Sequence, residues 1–115
     1  VIALPSFNEQ MAKSRRTKGL TAVQQIALLQ EKYRVNNASY STSLTDIKAS
    51  STTDDGNYAL SISSADASSF LVVAKAQSSQ SNDRCGDINY SYDGSQPAGK
   101  KVTIYPSNST ATNCW

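Results

Sequence analysis

Lys13, Arg15, Arg16 and Lys18 place four cations in one short stretch, the densest group of chemistry-bearing side chains in the sequence. Guanidinium and ammonium groups at this spacing attract phosphate, in a nucleic acid or a lipid headgroup. A local patch can do so even where the net charge is only +2. The plain alternative is a solvated helix face. A second, dispersed set of cations, Lys75, Arg84, Lys100 and Lys101, lies in the later part of the chain. Each phosphate that such residues neutralise steepens the salt dependence of binding.

Other chemistry is poorly provided for. The chain has no histidine, so a serine or cysteine nucleophile lacks its commonest base. Asp83, Asp87 and Asp93 are acidic, but they do not form the dense oxygen-rich loop that calcium requires. Asp54 and Asp55 precede Gly56 and Asn57, which reads as a turn. The few glycines are scattered and cradle no phosphate. Neither an enzyme nor a bound cofactor or metal is expected. Cys85 and Cys114, without histidine or clustered carboxylates to complete a metal site, read as a disulfide formed in an oxidising compartment. Closing that loop contributes about 3–4 kcal/mol in the chain-entropy picture.

The elements that position these residues follow from periodicity. At 115 residues the chain is read as one domain with a modest core. Residues 6–35 carry helical signals, with Ala22, Ile26, Leu29 and Tyr33 recurring on one face and Val23, Ala27 and Gln30 flanking them. Leu4, Phe7 and Met11 share a face in the first half, which is otherwise polar or charged. The reading is a helix whose second half packs on a domain while its first half projects away. Gly19 marks a bend or a close approach. Residues 36–57 form a long loop, with Tyr40, Leu44 and Ile47 as anchors and a short helical turn after Ser43. Strand alternation follows in "YALSI", "FLVVAKA", "DINYSY" and "KVTIY", the last closed by Pro106. The order predicts an α+β fold, a helix covered by an antiparallel meander of three or four strands, ending in a stapled C-terminal loop.

The opening "VIALPSFNEQMAKSRR" starts with apolar residues and no methionine. It reads as the stump of a longer apolar helix, with Val1 not the natural start, Pro5 at a place where that helix bends, and the basic cluster where the chain leaves the apolar zone.

With these elements in place, the chain resembles the type IV pilins. "IALPSFNEQMAKSRR" is similar to the family's helix continuation, and "ALLQEKYRVNNASYSTSL" to the helix end and the start of its αβ-loop. "DRCGDINYSYDGSQ" and the terminal "CW" are similar to the short minor pilins of type IVa pili. The resemblance implies a pilin fold: a long N-terminal helix (1–35, truncated) packed on a sheet of three or four strands, an αβ-loop (36–57), and the sheet with a disulfide-bounded D-region (58–115). It implies a non-enzymatic subunit that sits in the inner membrane before assembly and then in an extracellular fibre. Val1, Ile2, Leu4, Pro5, Phe7 and Met11 would contact other pilin subunits. A minor pilin that primes assembly or modifies the fibre, for adhesion or twitching motility, is the first expectation. The alternative is a DNA-uptake pilin, using Lys13, Arg15, Arg16 and Lys18 or, more accessibly, Lys75, Arg84, Lys100 and Lys101. A major pilin and a type II secretion pseudopilin, which often carries a calcium loop, fit less well.

Overall fold

The computed structural model describes residues 5–115, with side chains from residue 7 onward. Helix α1 spans Pro5–Val35 and is followed by β1 (Tyr58–Ala65), β2 (Ser69–Ala76), a short 3-10 turn (Ser78–Gln80), β3 (Ile88–Asp93) and β4 (Val102–Pro106). The strands pair antiparallel in chain order, β1-β2-β3-β4, so each joins the one before it. Of the expected assembly residues, Val1, Ile2 and Leu4 lie outside the described residues, and Pro5 is the first residue of α1.

Strand register sorts side chains into two faces. Leu60, Ala74 and Ile88 stand in one row facing α1, Ile62, Val72 and Tyr90 in the next, and Phe70 and Tyr92 beyond. The helix meets them with Val23, Ile26 and Ala27, so the buried stripe is centred on Val23 and Ile26 while Ala22, Leu29 and Tyr33 flank it. A register shift between Ile62 and Ser64 bends the far end of β1. Tyr40 from the loop packs edge-on to Phe70, with ring centroids 4.8 Å apart.

The connection 36–57 is held by specific bonds rather than by secondary structure. Gln30, fully buried, donates through Nε2 to the Ser41 carbonyl at 2.7 Å and accepts from the Ser41 N–H at 2.9 Å. The side chain thereby pairs with the loop much as a strand would. The turn expected at residues 54–57 forms: Asp55 Oδ1 accepts from the Asn57 N–H at 3.1 Å, and Gly56 takes a φ of 73°.

Gly19 is a site of close approach. A Cβ built there would stand 2.7 Å from Ile88 Cδ1 and 3.0 Å from the Tyr58 ring, both belonging to buried residues. Ordinary helix propensity favours alanine over glycine by about 1 kcal/mol. Overpacking a filled core costs about 1–3 kcal/mol. Gly19→Ala is therefore expected to lower stability by up to about 2 kcal/mol, and a chemical-denaturation midpoint that rises instead would show that the contact yields.

Candidate functional site

The basic residues singled out by sequence separate into two groups. Arg16 does not project from the helix: it lies on the buried stripe, three residues before Gly19 and seven before Val23, and is fully buried. Its planar guanidinium has five N–H donors, and the acceptors around it match that number. Nε donates to Asp83 Oδ2 at 2.7 Å, and Nη2 to Asp83 Oδ1. Nη1 and Nη2 also donate to the Glu9 carboxylate at 2.9 and 3.1 Å, and Nη1 reaches the Cys114 carbonyl at 3.4 Å. Arg16 is corrected accordingly from a surface contact to an internal tie. Leaving water is offset only because each donor has a partner.

Arg84, on the surface, extends this network. It donates to Glu9 through Nε at 3.2 Å and Nη2 at 2.8 Å, and to the carbonyls of Thr112 at 2.8 Å and Asn113 at 3.4 Å. Glu9, held between two guanidinium groups, has its carboxyl lowered to about 2, first by the hydrogen bond from Arg16 and next by that from Arg84. Gln80 completes the junction: its Nε2 donates to the Tyr58 hydroxyl at 3.0 Å and to the Ala12 carbonyl at 3.3 Å. The first half of α1 is thus docked from Glu9 onward, against residues 80–84 and 112–114. The expectation that it projects away is corrected by these contacts.

Cys85 and Cys114 are joined in a disulfide with a sequence separation of 29. The bond fixes the strand-entry residue beside Arg84 to the residue whose carbonyl serves Arg16. Asn108 strengthens the same closure, its Nδ2 donating to the Arg84 carbonyl at 2.7 Å.

The remaining cations are differently placed. Lys13 is exposed, and Arg15 is half-buried with Nη1 3.5 Å from Gln80 Oε1. Lys18 is exposed and stands 3.9 Å from Asp55, too far to bind it firmly. Lys75 lies in register with Ala59 on the sheet face turned away from α1, and is exposed. Lys100 is exposed and Lys101 half-buried at the start of β4, where the Lys101 carbonyl accepts from the Asp93 N–H. Strand register sets Lys75 near one end of the sheet and Lys101 near the other, about 20 Å apart along the strands. Among the described residues, Lys13, Lys75, Lys100 and Lys101 form no ion pair. Phe7 and Met11 are 55% and 42% exposed on the helix.

Among the described residues no cluster of potential ligands could hold a metal ion, and no helix is long and apolar enough to cross a membrane. Sequence reading missed Glu9, Asp83 and Gln80 as structural partners. The available signal was an arginine falling on the same helical stripe as Gly19 and Val23, which calls for acids inside.

A long helix laid on one face of a four-stranded antiparallel meander, with a disulfide closing the C-terminal segment, defines a type IV pilin. No curated protein matches the chain. A family model described as "Type IV minor pilin ComP, DNA uptake sequence receptor" matches residues 5–89, well over half of the sequence, and the chain belongs to that family. It is therefore a minor pilin, a subunit that associates with other pilins in a pilus fibre.

Two outcomes test the network. Arg16→Lys keeps the charge but loses the fork that meets Asp83 and Glu9 together. Stranding part of a buried ion pair is expected to cost about 3 kcal/mol or more, read as a fall in denaturation midpoint. The depressed Glu9 carboxyl contributes stability that is present above the ordinary carboxyl value near 4.5 and is lost as pH falls toward about 2. Glu9→Gln is expected to flatten the stability profile between those pH values, and an unchanged acid limb would place the loss elsewhere.

Proposed function

We propose that this minor pilin captures DNA at the pilus surface during uptake, with Lys75, Lys100 and Lys101 of its head meeting backbone phosphates. The observation that carries the reading is the division among the cations. Arg16 and Arg84 are engaged by acids, whereas these three lysines have no acidic partner among the described residues. The family's description as a DNA uptake sequence receptor supports the same reading. Lysines serve phosphate as point charges and set affinity without reading sequence. Lys13, Arg15 and Lys18 lie on the helix, where neighbouring subunits or lipid headgroups compete for them, and are the secondary candidates.

On this proposal the protein is a structural and binding subunit without catalytic chemistry, its helix, αβ-loop (36–57), sheet and D-region (58–115) forming a single domain. It resides in the inner membrane before assembly and at the cell exterior afterward. The exposed Phe7 and Met11 favour a concurrent role in packing against other pilins, by which the subunit primes or modifies the fibre. Roles in adhesion and twitching motility would follow from that placement.

The test is fluorescence anisotropy with a labelled duplex between about 50 and 200 mM salt. Binding is expected to weaken steeply with salt, and each phosphate-contacting lysine replaced by alanine should reduce the logarithmic slope by about 0.9. An unchanged slope in the Lys75→Ala, Lys100→Ala, Lys101→Ala triple variant removes these residues from the interface. Absence of binding at the lowest salt removes the DNA reading altogether.

A further inference from the structure

A second site lies on the opposite side of the head from Lys75. Helix α1 covers the inner face of β1 to β3 and leaves β4 at the margin, which opens a cleft of about 300 Å³ between helix and sheet. Phe70, Tyr90 and Tyr92 wall it on the sheet side, Leu28 and Glu31 on the helix side, and Val102 at the rim. The three rings form a ladder. Phe70 and Tyr90 are stacked with centroids 6.2 Å apart and planes 6° from parallel, and Phe70 and Tyr92 are 5.3 Å apart. Leu28 is 61% exposed and Val102 44%, so the cleft is apolar and open.

Glu31 is the carboxylate that lines this cleft. One of its oxygens accepts from the Tyr40 hydroxyl at 2.9 Å, and among the described residues the carboxylate makes no ion pair. Its field reaches the rings. The Tyr90 hydroxyl is pushed up chiefly by burial and next by the Glu31 charge, and the Tyr40 hydroxyl is raised by burial and by its bond to Glu31. Aromatic π-faces beside one uncompensated carboxylate are the arrangement that attracts an organic cation, and guanidinium stacks on such rings more readily than ammonium.

We propose that this cleft receives an arginine or lysine side chain from a neighbouring pilin subunit, its apolar stem against Leu28 and Val102 and its charge between the tyrosine rings and Glu31. A cation on a stem of several methylenes suits the cleft, because the exposed Leu28 and Val102 offer the stem apolar surface beside the exposed Glu31 carboxylate. The inference is independent of DNA binding, since it uses the inner face of the sheet and a negative charge.

The full chain would be titrated with N-acetylarginine methylamide while the ring resonances of Tyr90 and Tyr92 are followed by NMR. N-acetylnorleucine methylamide serves as the uncharged control and choline as a soluble cation without a stem. Saturable shifts with the arginine probe, at least about tenfold weaker with norleucine, are expected. Glu31→Gln should abolish the preference while leaving the fold intact, because the amide oxygen still accepts from Tyr40. Equal shifts with norleucine, or no saturation with arginine, would overturn the proposal. Tighter binding of choline than of arginine would also overturn it, by assigning the cleft to a small soluble cation. For the assembled state, a Glu31→Gln subunit, which keeps the acceptor for Tyr40, is expected to co-assemble poorly with other pilins while its monomer keeps the wild-type melting profile. Normal co-assembly would count against a neighbouring subunit as the source.

Discussion

The buried guanidinium of Arg16 is the constraint on which the upper part of the molecule depends. A charge removed from water in a small domain must find partners for all of its donors, and here they come from three separate places in the chain. Glu9 lies two turns earlier on the same helix, Asp83 in the connection before β3, and the Cys114 carbonyl in the C-terminal segment. No pair of these is adjacent in sequence, so satisfying Arg16 fixes the helix, the β2–β3 connection and the C-terminal segment relative to one another. The disulfide acts on the same junction. Covalent closure limits how far residues 85–114 can drift, and the arginine decides where they settle.

This arrangement explains why the cations of one basic cluster behave so differently. Lys13 and Lys18 lie around the helix from Arg16, on faces that point to solvent, whereas Arg16 shares its face with Gly19, Val23, Ile26 and Gln30. Helical geometry alone therefore assigns one member of the cluster to the interior. The same partition recurs in the head. Arg84, next to the disulfide, joins Glu9 and the backbone, while Lys75, Lys100 and Lys101 stand on strand and loop positions and form no ion pair among the described residues. Arginine is used where several donors must be met at fixed angles, and lysine where a mobile charge is left to solvent or to a ligand.

Much of the fold was legible in the sequence, because it rests on short-range periodicity. Alternation in residues 58–62 and 70–76 marked two strands, the Asp-Gly pair at 93–94 marked a turn, and the cysteine pairing followed from the lack of any competing use. The candidate site was less legible for a physical reason. Glu9, Gln80 and Asp83 have roles only through partners in distant parts of the sequence, and a polar residue does not announce whether it faces water or a buried charge. Apolar periodicity alone centres the helix stripe on Ala22, Ile26, Leu29 and Tyr33 with Val23 at its flank, whereas the packed stripe centres on Val23 and Ile26, and it groups Arg16 with its exposed neighbours. Gln30 shows the same limit, since its service to the Ser41 backbone leaves no periodic trace.

The sheet order that follows the chain has a kinetic consequence. Each strand pairs with its predecessor across a short connection, so the meander can be assembled hairpin by hairpin at low contact order and on a fast timescale. The ties to Arg16 span 67 and 98 residues and must await that sheet. The Cys85–Cys114 closure, with a sequence separation of 29, likewise carries a larger loop-closure cost than the β1–β2 hairpin, so the entropy of the chain favours the hairpins before the C-terminal junction.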